Sequence, residues 1–408
     1  MKKVVFIIPS FPKLSETFIV SKFLGLLEQG WDVRVVCDKS DKKEWKSFQL
    51  LKNRKDIKQR IWRNWPHRPR WFAGLLIPFA LMRCLCKNPK GTFYYLIGGW
   101  KKFGCSVFRY LYLDADIIAA RPDLIHFEFG ALAVGRMHIR DLIDSKLVVS
   151  FRGYDLNLVE LDDPNYYKEV WGKADQIHLL GQDLWQRAQR RGCPQNKKHA
   201  IIPPAIDTAF FDPGERKHTD VVGSPGRPLR ILSVGRLDWR KGYDYALQAI
   251  HLLIKRNIYC IYRIIGDGNY IEPVSFACHQ LDLVDIVSLL GAQTPSKVKE
   301  QMLWADVFLH AAVSEGFCNA VMEAQAMYLP VVSTDAGGLS ENLADKKTGF
   351  IVPKRNPQSL TDKLSQLAQD PKLRGKMGKA GRQRALNKFQ LKDQIADFEK
   401  MYKQVLEC

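Results

Sequence analysis

Apolar and polar positions alternate in blocks along the chain rather than residue by residue. Short, mostly apolar runs, such as residues 4–9, 32–37 and 146–151, are separated by segments in which apolar residues recur with the spacing of one helix face. Strands of parallel sheets have this mostly apolar character, because helices cover both faces of the sheet. The first half of the chain is therefore predicted to form an α/β, doubly wound parallel sheet.

The same alternation restarts after a polar stretch. Residues 205–228 combine prolines, glycines and charged residues, which predicts a linker. Residues 1–204 then form a first Rossmann-like domain and residues 229–385 a second, facing a central cleft at the carboxyl ends of their strands. Residues 386–408 have the spacing of an amphipathic helix, which we expect to return to the first domain.

Composition narrows the class of protein. Hydrophobic residues make up 46% of the 408 residues and charged residues 26%, which excludes a largely disordered chain. The chain contains no run of about 18 uncharged apolar residues, which is the length needed to span a bilayer. The first apolar run is too short for a signal peptide. The nine cysteines are scattered without a C-x-x-C pair, which favours reduced thiols. We therefore expect a cytoplasmic protein.

The positive charge is concentrated in one insertion. The net charge is +19, and residues 42–113 alone carry 17 basic and 2 acidic side chains. Within them, the apolar stretch 71–82 is flanked by Arg60, Arg63, Arg68, Arg70, Arg83 and Lys87. This pattern is typical of a segment on an anionic membrane, so residues 60–87 are expected to lie on the inner face of the cell membrane. A solvated basic face over a buried helix stays open as an alternative.

Two turns that contain glycine follow strands of the second half. The strand at 229–234 leads into the loop 235–242, where Arg236 and Lys241 offer cations suited to a diphosphate. The strand at 259–265 ends at Gly266, without the G-x-G-x-x-G spacing of a dinucleotide fold. The sequence thus favours a phosphate-binding loop and gives no support for a nicotinamide cofactor.

Two glutamates follow the strand that ends near residue 310. Gly316 marks a strand-to-helix turn, so Glu315 is expected at the helix N-terminus and Glu323 about two turns inside. One carboxylate can meet a sugar hydroxyl, and the other can accept both hydroxyls of a ribose. The residues around Glu323 are apolar, and a buried carboxylate needs a partner. Two glutamates on a solvated helix face are the alternative.

Together these segments resemble the nucleotide-sugar-binding domain of family 4 (group 1) glycosyltransferases, retaining enzymes of the GT-B fold. The matching motifs are G-R-x₄-K-G at 235–242, G-D-G at 266–268, E-G-F-x₅-E-A at 315–324, P-V-V-S-T-D-A-G-G-x-x-E at 330–341 and T-G-F-I-V-P at 348–353. Residues 11–19 resemble the N-terminal motif of members that build exopolysaccharide, colanic-acid-type and lipopolysaccharide chains. The resemblance implies transfer of a hexosyl unit from a nucleotide diphosphate sugar to a lipid-linked or oligosaccharide acceptor.

The resemblance also implies roles for individual residues. Arg236 and Lys241 correspond to diphosphate ligands, Glu323 to the ribose ligand and Glu315 to the residue that faces the donor sugar. The other donor-binding candidates are Gly266, Gly316, Phe317, Gly337 and Gly338. The acceptor-side candidates are Ser15, Glu16, His126, Glu128, Arg152 and Asp155. The catalytic candidates are Glu315, Arg236, Lys241 and Glu128.

Three questions stay open at this stage. Glu128 and Arg152 stand where many relatives have histidine, which leaves room for a nucleotide-sugar-binding or scaffold protein without catalysis. The basic insertion would also suit a nucleic-acid-binding protein, although no nucleic-acid module accompanies it and we expect no such partner. Asp114-Ala115-Asp116 is formally a D-x-D motif, but it falls in a predicted helix outside the donor domain. No metal or other cofactor is expected, because side-chain cations can stabilise the departing diphosphate.

Overall fold

The chain divides into two compact units. The computed structural model describes residues 2–13, 16–48, 51, 54–63, 70–214 and 220–407. The first unit contains Met1–Leu180, Trp185–Ile202 and Gln394–Cys408, and the second contains Gly181–Leu184 and Pro203–Asp393. Ser15 and Arg68, two residues with predicted roles, lie outside the described residues.

Within the described residues, seven parallel strands form the sheet of the first unit. They are β1 (Lys3–Ser10), β2 (Asp32–Lys39), β3 (Ile61–Arg63), β4 (Leu124–Phe127), β5 (Lys146–Phe151), β6 (Gln176–Leu179) and β7 (His199–Ile201). Their order across the sheet is β3-β2-β1-β4-β5-β6-β7, with Phe6 opposite His126 where β1 pairs with β4. Chain order therefore reverses between β1 and β4.

Helices connect these strands in chain order. They are α1 (Thr17–Glu28), α2 (Lys42–Ser47), α3 (Lys55–Gln59), α4 (Arg70–Lys87), α5 (Pro89–Phe103), α6 (Val107–Ala120), α7 (Gly130–Ala133), α8 (Ile139–Leu142), α9 (Gly153–Asn157), α10 (Lys168–Lys173) and α11 (Gln182–Arg190). The described residues of the basic insertion form α2 to α5, β3 and the first half of α6. Helices α4, α5 and α6 enclose a small core of their own, which includes Ala80, Tyr95 and Leu111.

The second unit repeats the same strand order with six parallel strands in its described residues. They are β8 (Leu229–Val234), β9 (Cys260–Ile265), β10 (Val287–Leu289), β11 (Val307–His310), β12 (Val331–Thr334) and β13 (Gly349–Val352). The order is β10-β9-β8-β11-β12-β13, so the reversal falls between β8 and β11. The two predicted doubly wound parallel sheets are confirmed, while their facing arrangement stays a prediction.

Helices of the second unit begin at clear local signals. They are α12 (Tyr243–Lys255), α13 (Ile271–Gln280), α14 (Pro295–Trp304), α15 (Asn319–Ala326), α16 (Leu339–Asn342), α17 (Pro357–Gln369) and α18 (Pro371–Lys388), followed by α19 (Leu391–Glu407). Thr294, Asn356 and Asp370 each cap a helix whose next residue is proline, and each side chain accepts a backbone N–H. This pairing satisfies one otherwise unpaired N–H and places proline where no N–H is needed.

The predicted terminal helix packs on the first unit, and the predicted linker segment contacts the second unit. In α19, Phe398 and Tyr402 are buried in the core of the first unit, and the Tyr402 hydroxyl lies 2.6 Å from His126 Nδ1. In the segment 205–228, the backbone N–H of Ile206 donates to Phe389 of the second unit over 2.9 Å. Among the described helices, none has both the length and the apolar character needed to cross a bilayer.

Candidate functional site

Loops of the second unit meet at the carboxyl edge of its sheet, where chain order reverses. The loops after β8 and β11 carry Lys241 and Glu315, and the backbone N–H of Val313 donates to the Arg240 carbonyl over 2.7 Å. The loop after β12 joins them, because the Gly338 N–H lies 3.4 Å from the Glu315 carbonyl. Doubly wound sheets bind ligands at this reversal.

Glycine allows neighbouring loops at this edge to approach closely: the loop after β9 lies against the loop after β8, and the loop after β12 lies against the loop after β11. A Cβ on Gly266 would lie 1.9 Å from the Gly235 carbonyl oxygen, and a Cβ on Gly338 would lie 2.0 Å from the Gly316 carbonyl oxygen. Real Cβ atoms do not come so near to a backbone oxygen. These glycines, both predicted to contact a ligand, are therefore also required for the loops to pack together.

Lys241 and Glu315 form the central ion pair of the site. The Lys241 ammonium lies 2.5 Å from Glu315 Oε2, and His310 Nε2 lies 3.4 Å from the same oxygen. Burial alone would raise the pKa of Glu315, but the charge of Lys241 and the contact with His310 lower it to about 2. Burial would likewise lower the pKa of Lys241, and the Glu315 carboxylate raises it above its ordinary value. Both groups are therefore held in their charged forms.

Arg236 supplies a second cation that is not used in internal pairing. Its side chain is exposed, and it has no ion-pair partner among the described residues. Nearby Asp238 is bound instead by Arg240, with 2.6 Å between Arg240 Nη2 and Asp238 Oδ2. An exposed, unpaired guanidinium in the same loop as Lys241 is suited to a bidentate contact with phosphate oxygens.

The glutamates differ in position from the expectation. Helix α15 begins at Asn319, so Glu315 lies in the preceding loop and not at the helix N-terminus, and that prediction is wrong. Glu323 lies in the helix, but as its fifth residue, about one turn inside and not the expected two. Its partly buried carboxylate has no hydrogen-bond partner among the described residues, and burial raises its pKa to about 7. A carboxylate of this kind is available to accept hydroxyl groups from a ligand.

Phe317, a predicted donor-binding residue, has a packing role in the structure. Its ring is partly buried and lies edge-on to Phe389, with 5.9 Å between the ring centroids. Phe317 therefore holds the loop after β11 on the body of the second unit.

Three side chains of this region lie close enough to share a metal ion. Ligand atoms of His310, Glu315 and Cys318 all fall within 4.8 Å of one another. The Lys241 ammonium already binds Glu315 through Oε2, and a divalent cation bound to the same carboxylate would repel it at short range. The set therefore fits a metal poorly.

The charged residues at the corresponding edge of the first unit are buried. Glu128 follows β4 and is fully buried, with its carboxylate bound by the Lys22 ammonium and, over 3.0 Å, by Arg152 Nη2. The Arg152 guanidinium also packs over Phe18, 4.1 Å from the ring centroid. Burial lowers the pKa of Lys22 to about 8, although the Glu128 charge opposes this shift. Glu128 has no surface with which to touch a ligand.

His126 belongs to a buried hydrogen-bond chain. Its Nε2 lies 2.7 Å from Ser150 Oγ, and that hydroxyl lies 2.7 Å from His178 Nδ1. Burial lowers the pKa of both histidines well below the ordinary value, so they are neutral. Both ring nitrogens of His126 are therefore used inside the core, by Tyr402 and Ser150, and none is left for a ligand.

Of the other acceptor-side candidates, Asp155 is buried and Glu16 is partly exposed. Asp155 is buried and accepts the backbone N–H groups of Ala131 and Arg152, over 3.0 and 2.9 Å. Glu16 precedes α1 and pairs with Lys13 over 2.8 Å, while its second oxygen is buried without a partner among the described residues. Of the described acceptor-side candidates, Glu16 alone combines partial exposure with an unused oxygen.

The D-x-D motif lies inside α6, as predicted. Asp114 is bound by the Tyr95 hydroxyl, by Arg136 and by His138, at 2.8, 2.6 and 2.7 Å. Asp116 lies 2.6 Å from the Arg83 guanidinium. Both carboxylates are buried. The contacts of Asp114 leave little for a metal ion to bind, whereas Asp116 has an ion pair with Arg83 but no hydrogen-bond partner for either oxygen among the described residues.

Sequence reasoning missed two features. His310 is the last residue of β11, and its side chain contacts Glu315. Its place at the end of a strand was the sequence feature that could have identified it as a site residue. A cavity of about 240 Å³ in the first unit is lined by Asp38, Tyr110, Arg136 and His138 among others. These residues come from distant parts of the chain, so spacing alone could not have grouped them.

Comparisons with known proteins identify a matching family and similar glycosyltransferases. Residues 215–384 match the family of glycosyl transferases group 1. The chain is 29% identical over 388 residues to the "Putative colanic acid biosynthesis glycosyltransferase WcaL" of Escherichia coli (strain K12), covering 90% of this chain and 91% of the relative. It is 26% identical over 395 residues to the amylovoran biosynthesis glycosyltransferase AmsK of Erwinia amylovora, with the same coverage.

Solved structures share the fold. Anabaena Alr3699/HepE, crystallised in complex with UDP and glucose, matches with a TM-score of 0.71 and 14% identity. The match covers 99% of this chain and all of that chain. At this identity the likeness concerns the fold alone, which is GT-B-like.

Proposed function

We propose, from the premise that this chain is a group 1 glycosyltransferase with a GT-B-like fold, that it is a retaining hexosyltransferase of exopolysaccharide biosynthesis. It takes its hexosyl unit from a nucleotide diphosphate sugar and passes it to a lipid-linked or oligosaccharide acceptor. The relatives named for colanic acid and amylovoran biosynthesis support the pathway class. The fold shared with a protein crystallised with UDP and glucose supports the donor class.

The observation that carries the proposal is the arrangement of Lys241, Glu315 and Arg236 at the strand-order reversal. Cleavage of a sugar–phosphate bond develops negative charge on the departing diphosphate. Lys241 is held in its charged form by Glu315, and Arg236 is exposed and unpaired, so both cations are ready to stabilise that charge. Groups positioned in advance of the reaction cost no reorganisation when charge develops.

The remaining roles follow from position and protonation. Glu315 orients Lys241 and faces the donor sugar, and Glu323 accepts the ribose hydroxyls through its unpartnered carboxylate. Gly337 and Gly338 line the sugar pocket with backbone amides, beside Gly266 and Gly316. Glu128 is left out of the proposed catalytic set, because it is sealed between Lys22 and Arg152. The reaction proceeds without metal, since side-chain cations take that role.

A second candidate function is favoured by one observation. The buried state of Glu128 and His126 leaves the first unit without an accessible histidine or carboxylate from the predicted set, apart from Glu16. A donor-binding protein without transferase activity would show the same pattern. Transfer of labelled sugar by the purified protein separates the two.

The test begins with donor identity. Thermal shifts measured against a panel of nucleotide sugars should reveal one donor that stabilises the protein. With that donor, Lys241→Ala and Glu323→Ala should lose transfer and weaken nucleotide binding. Lys255→Ala on α12 and Glu272→Ala on α13, both exposed, serve as matched controls. Full transfer and unchanged nucleotide binding in Lys241→Ala and Glu323→Ala would overturn the proposal.

The proposal includes peripheral attachment to the inner face of an anionic membrane. The sequence suggested residues 60–87 as the contact, but internal ion pairs use part of that charge: Arg60 binds Asp32, and Arg83 binds Asp116. Apolar residues outside that stretch are also exposed, which changes where the contact should be sought.

A further inference from the structure

Exposed apolar side chains are concentrated on three consecutive helices of the insertion. Eighteen large apolar side chains are exposed among the described residues, and eight of them lie between Leu75 and Phe108. On α4, Leu75, Phe79 and Met82 are 64%, 58% and 59% exposed. The spacing of four and then three residues places them on one face of the helix.

Helix α5 repeats the pattern. Phe93, Ile97 and Trp100 share one face and are 58%, 60% and 53% exposed. The Trp100 ring lies edge-on to Phe108 of α6, with 6.4 Å between centroids, so this face continues onto the next helix.

The opposite faces of the same helices are also apolar. Ala80 and Cys84 of α4 and Tyr95 of α5 are fully buried in the core shared with α6. A helix that is apolar on both faces needs a second apolar environment, since water contacts the outer face at a cost. That environment is a bilayer interface or another protein.

The charge around these helices favours the bilayer. Residues 57–113 contain eleven lysines and arginines and no aspartate or glutamate. Lys87, Lys90, Lys101 and Arg109 are exposed and have no ion-pair partner among the described residues. A second copy of this chain would bring two positive stretches together, whereas anionic headgroups would neutralise them.

We propose that α4 and α5 form a membrane-docking face that lies in the headgroup region of an anionic bilayer. Leu75, Phe79, Met82, Phe93, Ile97 and Trp100 reach the acyl boundary, and the four unpaired cations contact lipid phosphates. This inference refines the membrane part of the proposed function and does not depend on the donor chemistry.

The test measures co-sedimentation of the full chain with vesicles of phosphatidylcholine, with and without phosphatidylglycerol. The triple variant Phe93→Ser, Ile97→Ser, Trp100→Ser should bind phosphatidylglycerol vesicles at least about tenfold more weakly than the wild type. The matched control, Ile271→Ser, Phe276→Ser, Val284→Ser, removes exposed apolar side chains of the second unit and should bind like the wild type.

A charge variant tests the same face independently. Lys87→Ser, Lys90→Ser, Lys101→Ser should lose at least about tenfold in affinity, and the wild-type affinity should fall with added salt. The control Lys372→Ser, Lys376→Ser, Lys379→Ser removes three exposed lysines of α18. Equal loss in both triple-lysine variants would mean that net charge alone drives binding, and would overturn the docking face.

A reporter on α4 tests insertion directly. Cys86 is an exposed free thiol one turn from Met82, and an environment-sensitive fluorophore there should shift to the blue with phosphatidylglycerol vesicles. Cys105 and Cys408 are replaced by serine so that Cys86 carries the label. An unchanged emission spectrum would contradict the proposal. Self-association of the chain that is abolished in the Phe93→Ser, Ile97→Ser, Trp100→Ser variant would also contradict it.

The outcomes separate this inference from the proposed function. Donor-induced thermal stabilisation should be unchanged in every variant of α4 and α5. Vesicle binding without any donor response would overturn the donor chemistry of the proposed function and leave the docking face standing. A donor response without vesicle binding would overturn the docking face and the membrane part of the proposed function, and leave the donor chemistry standing.

Discussion

The two sheets share one strand order but use their charged residues differently. In both, a carboxylate follows the strand on the far side of the order reversal, Glu128 after β4 and Glu315 after β11. Lys22 and Glu128 are 2% and 0% exposed, while Lys241 and Glu315 are 20% and 14% exposed. The first pair is therefore closed to solvent and serves the fold, whereas the second remains accessible from solvent.

The largest expected effect comes from deleting the buried lysine. Lys22→Ala should lower the free energy of unfolding by about 3–5 kcal/mol, because it leaves the Glu128 charge buried beside Arg152 alone. Lys241→Ala, the same deletion at the second edge, should cost much less stability while it abolishes transfer. Urea denaturation of both variants measures the difference. Equal destabilisation of the two variants would contradict the conclusion that only the Lys22–Glu128 pair serves the fold.

Arg236→Ala should raise the barrier to transfer by about 2–4 kcal/mol, as for other preorganised groups that stabilise developing charge. Its thermal stability should match that of the wild type, since the side chain is exposed and unpaired. Steady-state kinetics with the identified donor provide the measurement, with Arg355→Ala, another exposed arginine, as the control. A lowered melting temperature with normal kinetics would assign Arg236 to the fold instead.

The pKa of Glu323, raised by burial to about 7, gives a pH dependence of intermediate size. In the proposed role, the ionised carboxylate accepts ribose hydroxyls, so donor affinity should rise up to about tenfold between pH 6 and 8. Without ligand, the folded state keeps a proton that the unfolded state loses, so stability should fall as the pH rises from about 4.5 to about 7. Glu323→Gln should flatten both profiles in calorimetric titrations, and unchanged profiles would refute the assignment.

The smallest effect is expected from metal removal. Dialysis against a chelator should leave the transfer rate within about twofold, because the Lys241 ammonium bound to Glu315 would repel a divalent cation on the same carboxylate. Activity that is lost on chelation and restored by Zn²⁺ would instead point to His310, Glu315 and Cys318 as ligands.

Much of the fold could be predicted from periodicity. Apolar runs at the positions of β1, β8 and β11 mark buried strands, because helices on both faces of a parallel sheet leave no polar side to the strand. The loop cations Arg236 and Lys241 could also be found, since each follows a strand end at a fixed spacing. The start of α15 was misplaced by several residues, because Gly316 signals a turn but does not say where the helix begins.

The sequence by itself determined two doubly wound sheets, the strand-end positions of Lys241 and Glu315, and the concentration of positive charge in one insertion. These properties are local, so spacing and composition carry them. Only the tertiary structure decided that Lys22 reaches Glu128 across 106 positions of the chain, and that α4 and α5 leave apolar faces uncovered. Burial and ion pairing depend on which distant segments come together, and no local pattern records that.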